Sequence, residues 1–142
     1  IDITSMQITK SVNSEDKEGK SSDTMGMKHM IKFGMYEIKG AINVQLATKT
    51  GFTDEDAEVV KKCLLTLFEN DASSARPDGS MEVVKLYWWK HNCKEGQYSS
   101  AKVHRSVKVK LKEGIAEALS ADDYDIVVDE LNGLVPEVKE GM

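Results

Sequence analysis

Residues 53–68 read TDEDAEVVKKCLLTLF, the clearest helix pattern in the chain. Thr53 suits the N-cap position, and Asp56 follows three residues later as in a capping box. Asp54 and Glu55 complement the positive end of the helix dipole. Apolar side chains then recur at helical spacing, at Ala57, Val60, Leu64, Leu67 and Phe68. The pattern predicts a helix that runs to about residue 70 and buries one face.

The segments before this helix predict two strands and a long connection. Residues 1–12 alternate loosely and are strand-like, whereas residues 11–24 are polar, without apolar periodicity, and predict a long mobile loop. In residues 33–46 the even positions are mostly apolar and the odd positions mostly polar. This period of two predicts a half-buried strand.

The segments after the helix predict a loop, three strands and a tail. Residues 70–80 contain the turn signal Pro77-Asp78-Gly79. β-branched and aromatic residues predict a strand over 81–89, in which Trp88 and Trp89 point to opposite faces. Residues 102–112 alternate between an apolar and a basic face, and residues 124–128 form a short apolar run. We expect residues 131–142 to be a loosely held tail.

Together these elements predict an α+β fold, with helix packed on one face of a mostly antiparallel sheet. The connections are too short for a doubly wound parallel sheet, and the order of elements is similar to half of a ferredoxin-like unit. A length of 142 residues suffices for one domain with a single core. Because Ile1 lies in a strand-like run with no signal region before it, we expect the chain to begin within a longer protein.

Composition and charge narrow the classes of function. No apolar run approaches the roughly 20 residues of a membrane span, so we expect no membrane partner. Cys63 and Cys93 lie far apart, which disfavours a disulfide or a zinc site and favours a reducing cytoplasm. Cys63 lies beside the apolar helix face and is interpreted as a buried thiol.

The charges are segregated along the chain. The net charge of −5 argues against non-specific adhesion to nucleic acid. However, residues 85–112 hold eight Lys or Arg against one acid, and residues 113–142 hold nine acids against one Lys. Two solvated faces of a sheet and a helix would give the same segregation, so charge alone does not identify a partner.

The sequence lacks the motifs of the major catalytic classes. Phosphate-cradling loops, dinucleotide fingerprints, serine-hydrolase elbows and zinc-peptidase helices are absent, so we predict no catalytic residue, no metal and no cofactor. His29, His91 and His104 remain as acid–base groups for a metal-independent ribonuclease. His91 and His104 are interpreted as surface or hydrogen-bonded side chains. His29 is the better candidate, as a contact residue.

Two short segments combine side chains suited to ligand contact. Residues 24–29 read TMGMKH and join flexible methionines, a glycine that permits close backbone approach, and two partners for phosphate. An ordinary hairpin end with methionines packed on the core would also explain them. Arg76, near Ser73 and Ser74, has a planar fork that suits a phosphate, or else it pairs with Asp71 or Asp78.

Several strings together resemble one known family, the backbone subunit of Cascade-type CRISPR complexes, and specifically its type I-C branch. They are TMGMKH at 24–29, FGMY at 33–36 followed by Gly40, KTGFTDED at 49–56, NDASSAR at 70–76 and KLYWWKH at 85–91. The family is about twice as long as this chain, so the resemblance implies a C-terminal fragment. Many members carry more basic residues near position 27, and Met27 weakens the attraction for phosphate there.

The resemblance implies a non-catalytic, RRM-like palm that forms a filament along a guide RNA (crRNA) in antiviral defence. It divides the single partial domain 1–142 into a hairpin thumb at 9–31, the C-terminal part of the palm at 33–130 and a tail at 131–142. The implied partners are crRNA, other copies of the subunit, other Cascade subunits and, indirectly, target DNA. The implied RNA contacts are Met25, Gly26, Met27, Lys28, His29, Ser73, Ser74 and Arg76. An incomplete palm should also leave sheet edges that another copy or an exchanged strand covers.

Three hypotheses follow for the function. The first is crRNA binding without catalysis, and the second is a metal-independent endoribonuclease that processes CRISPR repeat RNA with one of the three histidines. The third is a structural adaptor whose role is contact between subunits. The guide sequence and the number of copies per filament are not encoded in a protein that reads an RNA backbone.

Overall fold

The fold is α+β, as predicted, with short helices and antiparallel strand pairs. The computed structural model describes residues 3–10, 24–73 and 75–142. The strands are β1 (Ile3–Lys10), β2 (Thr24–Ile31), β3 (Lys85–Trp88), β4 (Val107–Leu111), β5 (Tyr124–Val128) and β6 (Glu137–Glu140). The helices are α1 (Val44–Thr50), α2 (Asp54–Leu65) and α3 (Ser100–Ser106), and a 3₁₀ turn spans Ala121–Asp123.

In the described ranges the strands form three antiparallel pairs, β1 with β2, β3 with β6, and β4 with β5. The arrangement is consistent with a partial ferredoxin-like fold, although these strands do not join into one continuous sheet. The long loop expected between β1 and β2 falls on residues 11–23, outside the described residues.

Helix α2 begins where the sequence predicts, because its N-terminal signals are local. Thr53 is the N-cap, and its hydroxyl oxygen accepts a hydrogen bond from the Asp56 amide at 3.2 Å. The Asp56 carboxylate accepts from the Thr53 amide at 2.8 Å and completes the capping box. The helix ends at Leu65, five residues before the predicted end, and turns follow to Asn70, whose φ of 57° is left-handed.

The predicted strand over 33–46 is wrong. Residues 33–43 have no regular structure, and Asn43 instead caps α1, with its side-chain oxygen accepting from the Leu46 amide at 3.1 Å. Gly51 closes α1 in the left-handed conformation, with φ of 76°. A period-two pattern becomes a strand only when a neighbour supplies hydrogen bonds, and the strands described here pair elsewhere. Ile38 accordingly stays 73% exposed.

The predicted strand over 102–112 is wrong in its first half. Ser99 caps α3, and its hydroxyl accepts from the Lys102 amide at 3.3 Å. Val103 and Val107 are four residues apart, a spacing that also fits one face of a helix. The second half is the strand β4, in which half-buried Val107 and Val109 alternate with exposed Lys108 and Lys110 as predicted.

Other predictions hold in part. The strand over 81–89 is shorter, as β3, and the short strand over 124–128 is confirmed as β5. The expected loosely held tail at 131–142 instead contains β6, which pairs with β3 in four register pairs. Cys63, interpreted as buried, is an exposed free thiol, and Cys93 is too.

Few apolar side chains are fully buried among the described residues. Val103 and Leu134 are the buried hydrophobic residues, at 6% and 3% exposure. The buried polar residues are Ser106, whose hydroxyl donates to the Val103 carbonyl at 2.7 Å, and Lys61. No helix in the described part of the chain combines the length and the apolar character needed to cross a bilayer.

Candidate nucleic-acid interface

Five of the predicted contact residues lie in one strand of a hairpin. Strand β2 carries positions 25–29 and pairs in antiparallel register with positions 9–5 of β1. The predicted members are Met25, Gly26, Met27, Lys28 and His29. The ladder gives this segment a fixed backbone, which a loop would lack.

Met27 and His29 are accessible positions on this strand. Met27 is 66% exposed and His29 is also exposed. Side chains two residues apart in a strand point to the same face, so both lie on one side of the hairpin. A flexible thioether and an imidazole on one accessible face suit contact with a base and a phosphate. The alternative of a methionine packed on the core is wrong for Met27.

The second predicted segment forms a tight turn. The Ser73 amide donates to the Arg76 carbonyl at 2.7 Å, and the Arg76 amide donates back to the Ser73 carbonyl at 3.1 Å. The same Arg76 amide lies 3.1 Å from the Ser73 hydroxyl oxygen. These bonds fix the backbone of the turn, and with it the position from which the Arg76 side chain projects. Ser74 lies outside the described residues.

The Arg76 side chain pairs with Asp71. One guanidinium nitrogen lies 2.7 Å from the Asp71 carboxylate, and the two side chains are 41% and 48% exposed. An ion pair at this exposure contributes little to stability, because water screens it. A phosphate with good geometry would therefore compete with Asp71 for the guanidinium.

One large concavity includes part of the predicted set in its lining. It has a volume of about 1750 Å³ and is lined by His29 and Arg76, together with Trp88 and Trp89 of the predicted aromatic strand. Met27 and Ser73 lie outside its lining. Because this lining extends from residue 29 to residue 126, it does not by itself place His29 next to Arg76.

The aromatic strand has two different faces. Trp88 lies under the Lys61 ammonium, 5.2 Å from the ring centroid, whereas Trp89 stacks on Tyr87 with ring centroids 6.1 Å apart. The predicted opposite orientation of the two tryptophans agrees with this. Both are half-buried, so neither is a freely exposed stacking platform.

His91 and His104 are each hydrogen-bonded to a backbone group. The His91 Nδ1 accepts a hydrogen bond from the Gln97 amide at 2.9 Å, which leaves the proton of a neutral ring on Nε2. The His104 Nε2 lies 3.1 Å from the Gly40 carbonyl oxygen and donates to it. Both rings are therefore hydrogen-bonded, which agrees with the sequence interpretation. His104, however, is in helix α3 and not on a strand.

Sequence reasoning missed Lys61, the most buried charge of the described residues. Its side chain is 5% exposed, and its Nζ lies 2.7 Å from Glu58 and 2.6 Å from Glu137. Hydrogen bonds to Glu137 and Glu58 raise the pKa of Lys61, and the Lys61 and Lys139 ammonium groups lower the pKa of Glu137. The signal was present, because Lys61 lies four residues after Ala57 on the apolar face.

Acidic side chains neutralise part of the basic segment at 85–112. Lys108 lies 2.6 Å from Asp129, while Lys85 and Lys90 lie 3.3 Å from Glu140 and Asp54 respectively. Lys102 lies over the Tyr98 ring at 4.4 Å. In the ranges that the structure describes, no three His, Cys, Asp or Glu side chains are grouped so as to hold a metal ion.

Comparison with protein families gives one informative match. The family model described as CRISPR-associated protein Cas7 matches residues 1–129, which covers the hairpin, the turn at 73–76 and strands β3 to β5. Strand β6 lies after the last matched residue. Comparison with curated protein sequences gives no match.

Proposed function

Because this chain belongs to the CRISPR-associated Cas7 family, we propose that it is a non-catalytic crRNA-binding backbone subunit of a type I surveillance complex, of the I-C branch. The observation that carries the proposal is the family match over residues 1–129. In this role the chain binds the sugar-phosphate backbone of a guide and contacts further copies of itself. A protein of this kind recognises the charge and shape of the RNA backbone, and base pairing of the guide provides the sequence specificity.

The hairpin supports this role. Met27 and His29 are accessible on one face of a paired strand, and the ladder fixes the position from which they project. A thioether wedges against a base by dispersion, and an imidazole donates to a phosphate oxygen. The neighbouring Lys28 adds a cation to the same strand. We propose that residues 9–31, which include strand β2, form the thumb of the subunit.

The turn at 73–76 supplies a second group. Arg76 sits on a backbone turn that two reciprocal hydrogen bonds close, and its side chain is 41% exposed. A planar fork binds two phosphate oxygens at once, which a lysine cannot do. We propose that Ser73, Ser74 and Arg76 hold the RNA backbone on the palm side.

The test uses a labelled CRISPR-repeat RNA and the chain in EDTA, with native and denaturing gels run from the same tubes. A shifted but uncut RNA is expected. A discrete cut product would instead favour the endoribonuclease, and alanine variants at His29, His91 and His104 would identify its acid–base group. Absence of any shift at micromolar protein would contradict RNA binding by this chain.

A matched pair of substitutions localises the binding. Met27→Glu places a carboxylate on the hairpin and should weaken RNA affinity about tenfold, which corresponds to about 1.4 kcal/mol. Met142→Glu makes the same change at another exposed methionine, 83% accessible, and should leave the affinity unchanged. Equal weakening by both variants would point to net charge and not to the hairpin as the cause.

A further inference from the structure

The hydrogen-bonding edge of β3 is occupied by the C-terminal strand β6. Four residue pairs are in antiparallel register, from Lys85 opposite Glu140 to Trp88 opposite Glu137. The Gly141 amide extends the ladder by donating to the Val84 carbonyl at 3.2 Å. A strand edge that carried no such partner would present a row of unpaired backbone groups.

The edge selects its occupant by side chains as well as by backbone. Glu137 reaches the buried Lys61 at 2.6 Å, and Glu140 reaches Lys85 at 3.3 Å. At the next position a Cβ on Gly141 would collide with the Val83 carbonyl oxygen. The β3 edge therefore fits a five-residue strand that has acids at its first and fourth positions and glycine at its fifth.

The occupying strand is joined to the rest of the chain by a short, exposed connection. The preceding segment is anchored, because Leu134 is 3% exposed and Gln97 donates to the Gly133 carbonyl at 2.7 Å. Val135, directly after this anchor, is 84% exposed, and Pro136 follows it. All four residues of β6 are exposed. The segment after Leu134 can therefore leave the edge without unpacking the anchor.

We propose that the β3 edge is a strand-addition site whose occupant exchanges between molecules, and that the strand added in trans is residues 137–141 of a second copy of this chain. A second copy brings the same two acids and the same glycine, so every contact of the closed form is remade between molecules. Compared with the closed monomer, the exchanged form keeps the same contacts and adds only the entropic cost of bringing two molecules together. This proposal is independent of RNA binding.

Disulfide trapping between two different chains tests the exchange. In a Cys63→Ser, Cys93→Ser background, one chain carries Lys85→Cys and a mass tag, and the other carries Glu140→Cys. These positions are directly opposite in β3 and β6, so a heterodimer disulfide forms when β6 of one molecule lies on β3 of the other. The heterodimer should increase with protein concentration, because the tethered strand competes at an effective concentration on the order of 1 mM.

The β4–β5 ladder supplies a matched control. Lys110 and Asp125 are also an exposed, directly opposite Lys–acid pair, in strands that are not proposed to exchange. A mixture of Lys110→Cys and Asp125→Cys chains should give at least fivefold less heterodimer. Adding Gly141→Val to the Glu140→Cys chain should also reduce it.

Two results would overturn the proposal. One is a heterodimer yield no higher than in the control mixture while a single chain with both Lys85→Cys and Glu140→Cys closes an intramolecular disulfide. The other is failure of that double variant to close, which would show that β6 does not occupy the β3 edge in this register.

Discussion

At Lys61 a cation lies on the apolar side of a helix because two carboxylates and an indole ring surround its Nζ. Its neighbours are Glu58 from the same helix, Glu137 from β6 and Trp88 from β3. The aliphatic stem packs, and the charged end is paired, which is how a lysine becomes tolerable inside a protein. This one side chain thus joins α2, β3 and β6.

Replacing Lys61 should therefore destabilise the fold. Lys61→Met keeps the apolar stem and removes two charged hydrogen bonds, so the free energy of unfolding should fall by about 1–3 kcal/mol. Both carboxylates are accessible to water, which keeps the cost below that of a fully buried broken pair. Chemical denaturation measures the change.

The adjacent Lys62→Met is the control for Lys61. Lys62 is exposed and follows directly in the same helix, so its substitution should change the free energy of unfolding by less than about 0.5 kcal/mol. Equal destabilisation by the two variants would mean that helix propensity or net charge, and not the pairing of Lys61, is responsible.

Asp71 should limit the affinity of Arg76 for RNA, if RNA is the ligand as proposed. Asp71→Asn removes the carboxylate 2.7 Å from the guanidinium and should strengthen RNA binding about two- to fivefold. Arg76→Ala should weaken binding and lower the slope of log affinity against log salt by about 0.7. Fluorescence anisotropy across a salt series measures both.

Asp78→Asn makes the same charge change in the same loop. A general effect of net charge would strengthen RNA binding equally in both Asn variants. If affinity instead rises because Arg76 is released from its ion pair, only Asp71→Asn should strengthen RNA binding. An unchanged affinity for Asp71→Asn would contradict a phosphate-binding role for Arg76.

At the scale of elements, β6 is held by a contact that depends on pH. The ammonium groups of Lys61 and Lys139 lower the pKa of Glu137 below its ordinary 4.5, so this group stabilises the docked strand when it is ionised. The contribution is complete above pH 4.5 and is lost as the pH falls through the lower, folded pKa. Lys61 has a raised pKa, so its contribution is lost only above pH 10.5.

Amide exchange of β6 should report this dependence. The wild-type protein should protect the amides of residues 137–141 more than Glu137→Gln does above pH 4.5, and the difference should vanish at lower pH. Comparing the two proteins at each pH removes the contribution of other carboxylates. Equal protection in the two proteins above pH 4.5 would contradict this dependence and assign the protection to the backbone ladder alone.

Gly141→Ala should detach the end of β6 without any change of charge. The added Cβ meets the Val83 carbonyl, so the backbone must move away from β3 and exchange protection near residue 141 should fall at least tenfold. Gly40→Ala is the control, since a Cβ there meets no atom within 4 Å. Unchanged protection in Gly141→Ala would show that β3 and its neighbours yield instead.

The sequence predicts an element well when the partners of its hydrogen bonds are close in sequence, and poorly when they are distant. The start of α2 was predicted because Thr53 and Asp56 cap it locally. The alternation over 33–46 gave a wrong strand, since a strand needs a partner and the pattern alone does not supply one. β6 was missed for the converse reason, because its exposed residues gain order only from β3 and Lys61.

The candidate site shows the same dependence. From the residues alone, the methionines at 25 and 27 could be ligand contacts or could pack on the core, and the exposure of Met27 decides against packing. The Arg76–Asp71 pair was likewise one of several alternatives that spacing could not separate. Lys61 required knowledge that α2, β3 and β6 meet. The resemblance thus placed the first contact segment on a hairpin, loop composition placed the second, and long-range pairing decided which side chains face each other.

At the scale of the whole molecule, many large apolar side chains of the described residues face water. Ile38 and Leu119 are examples, at 73% and 71% exposure. Extended apolar exposure is typical of surfaces that associate.

Polar substitution at these positions should reduce self-association and leave folding intact. The double variant Ile38→Asn, Leu119→Asn removes apolar surface that already faces water, so the free energy of unfolding should change by less than about 1 kcal/mol. Sedimentation at increasing concentration should show less association than for the wild type. Val103→Ala is the contrast, because Val103 is 6% exposed and its truncation should cost about 1–3 kcal/mol with no decrease in association. If instead the double variant unfolds, Ile38 and Leu119 are packed against apolar side chains in solution, and the exposed apolar surface belongs elsewhere on the molecule.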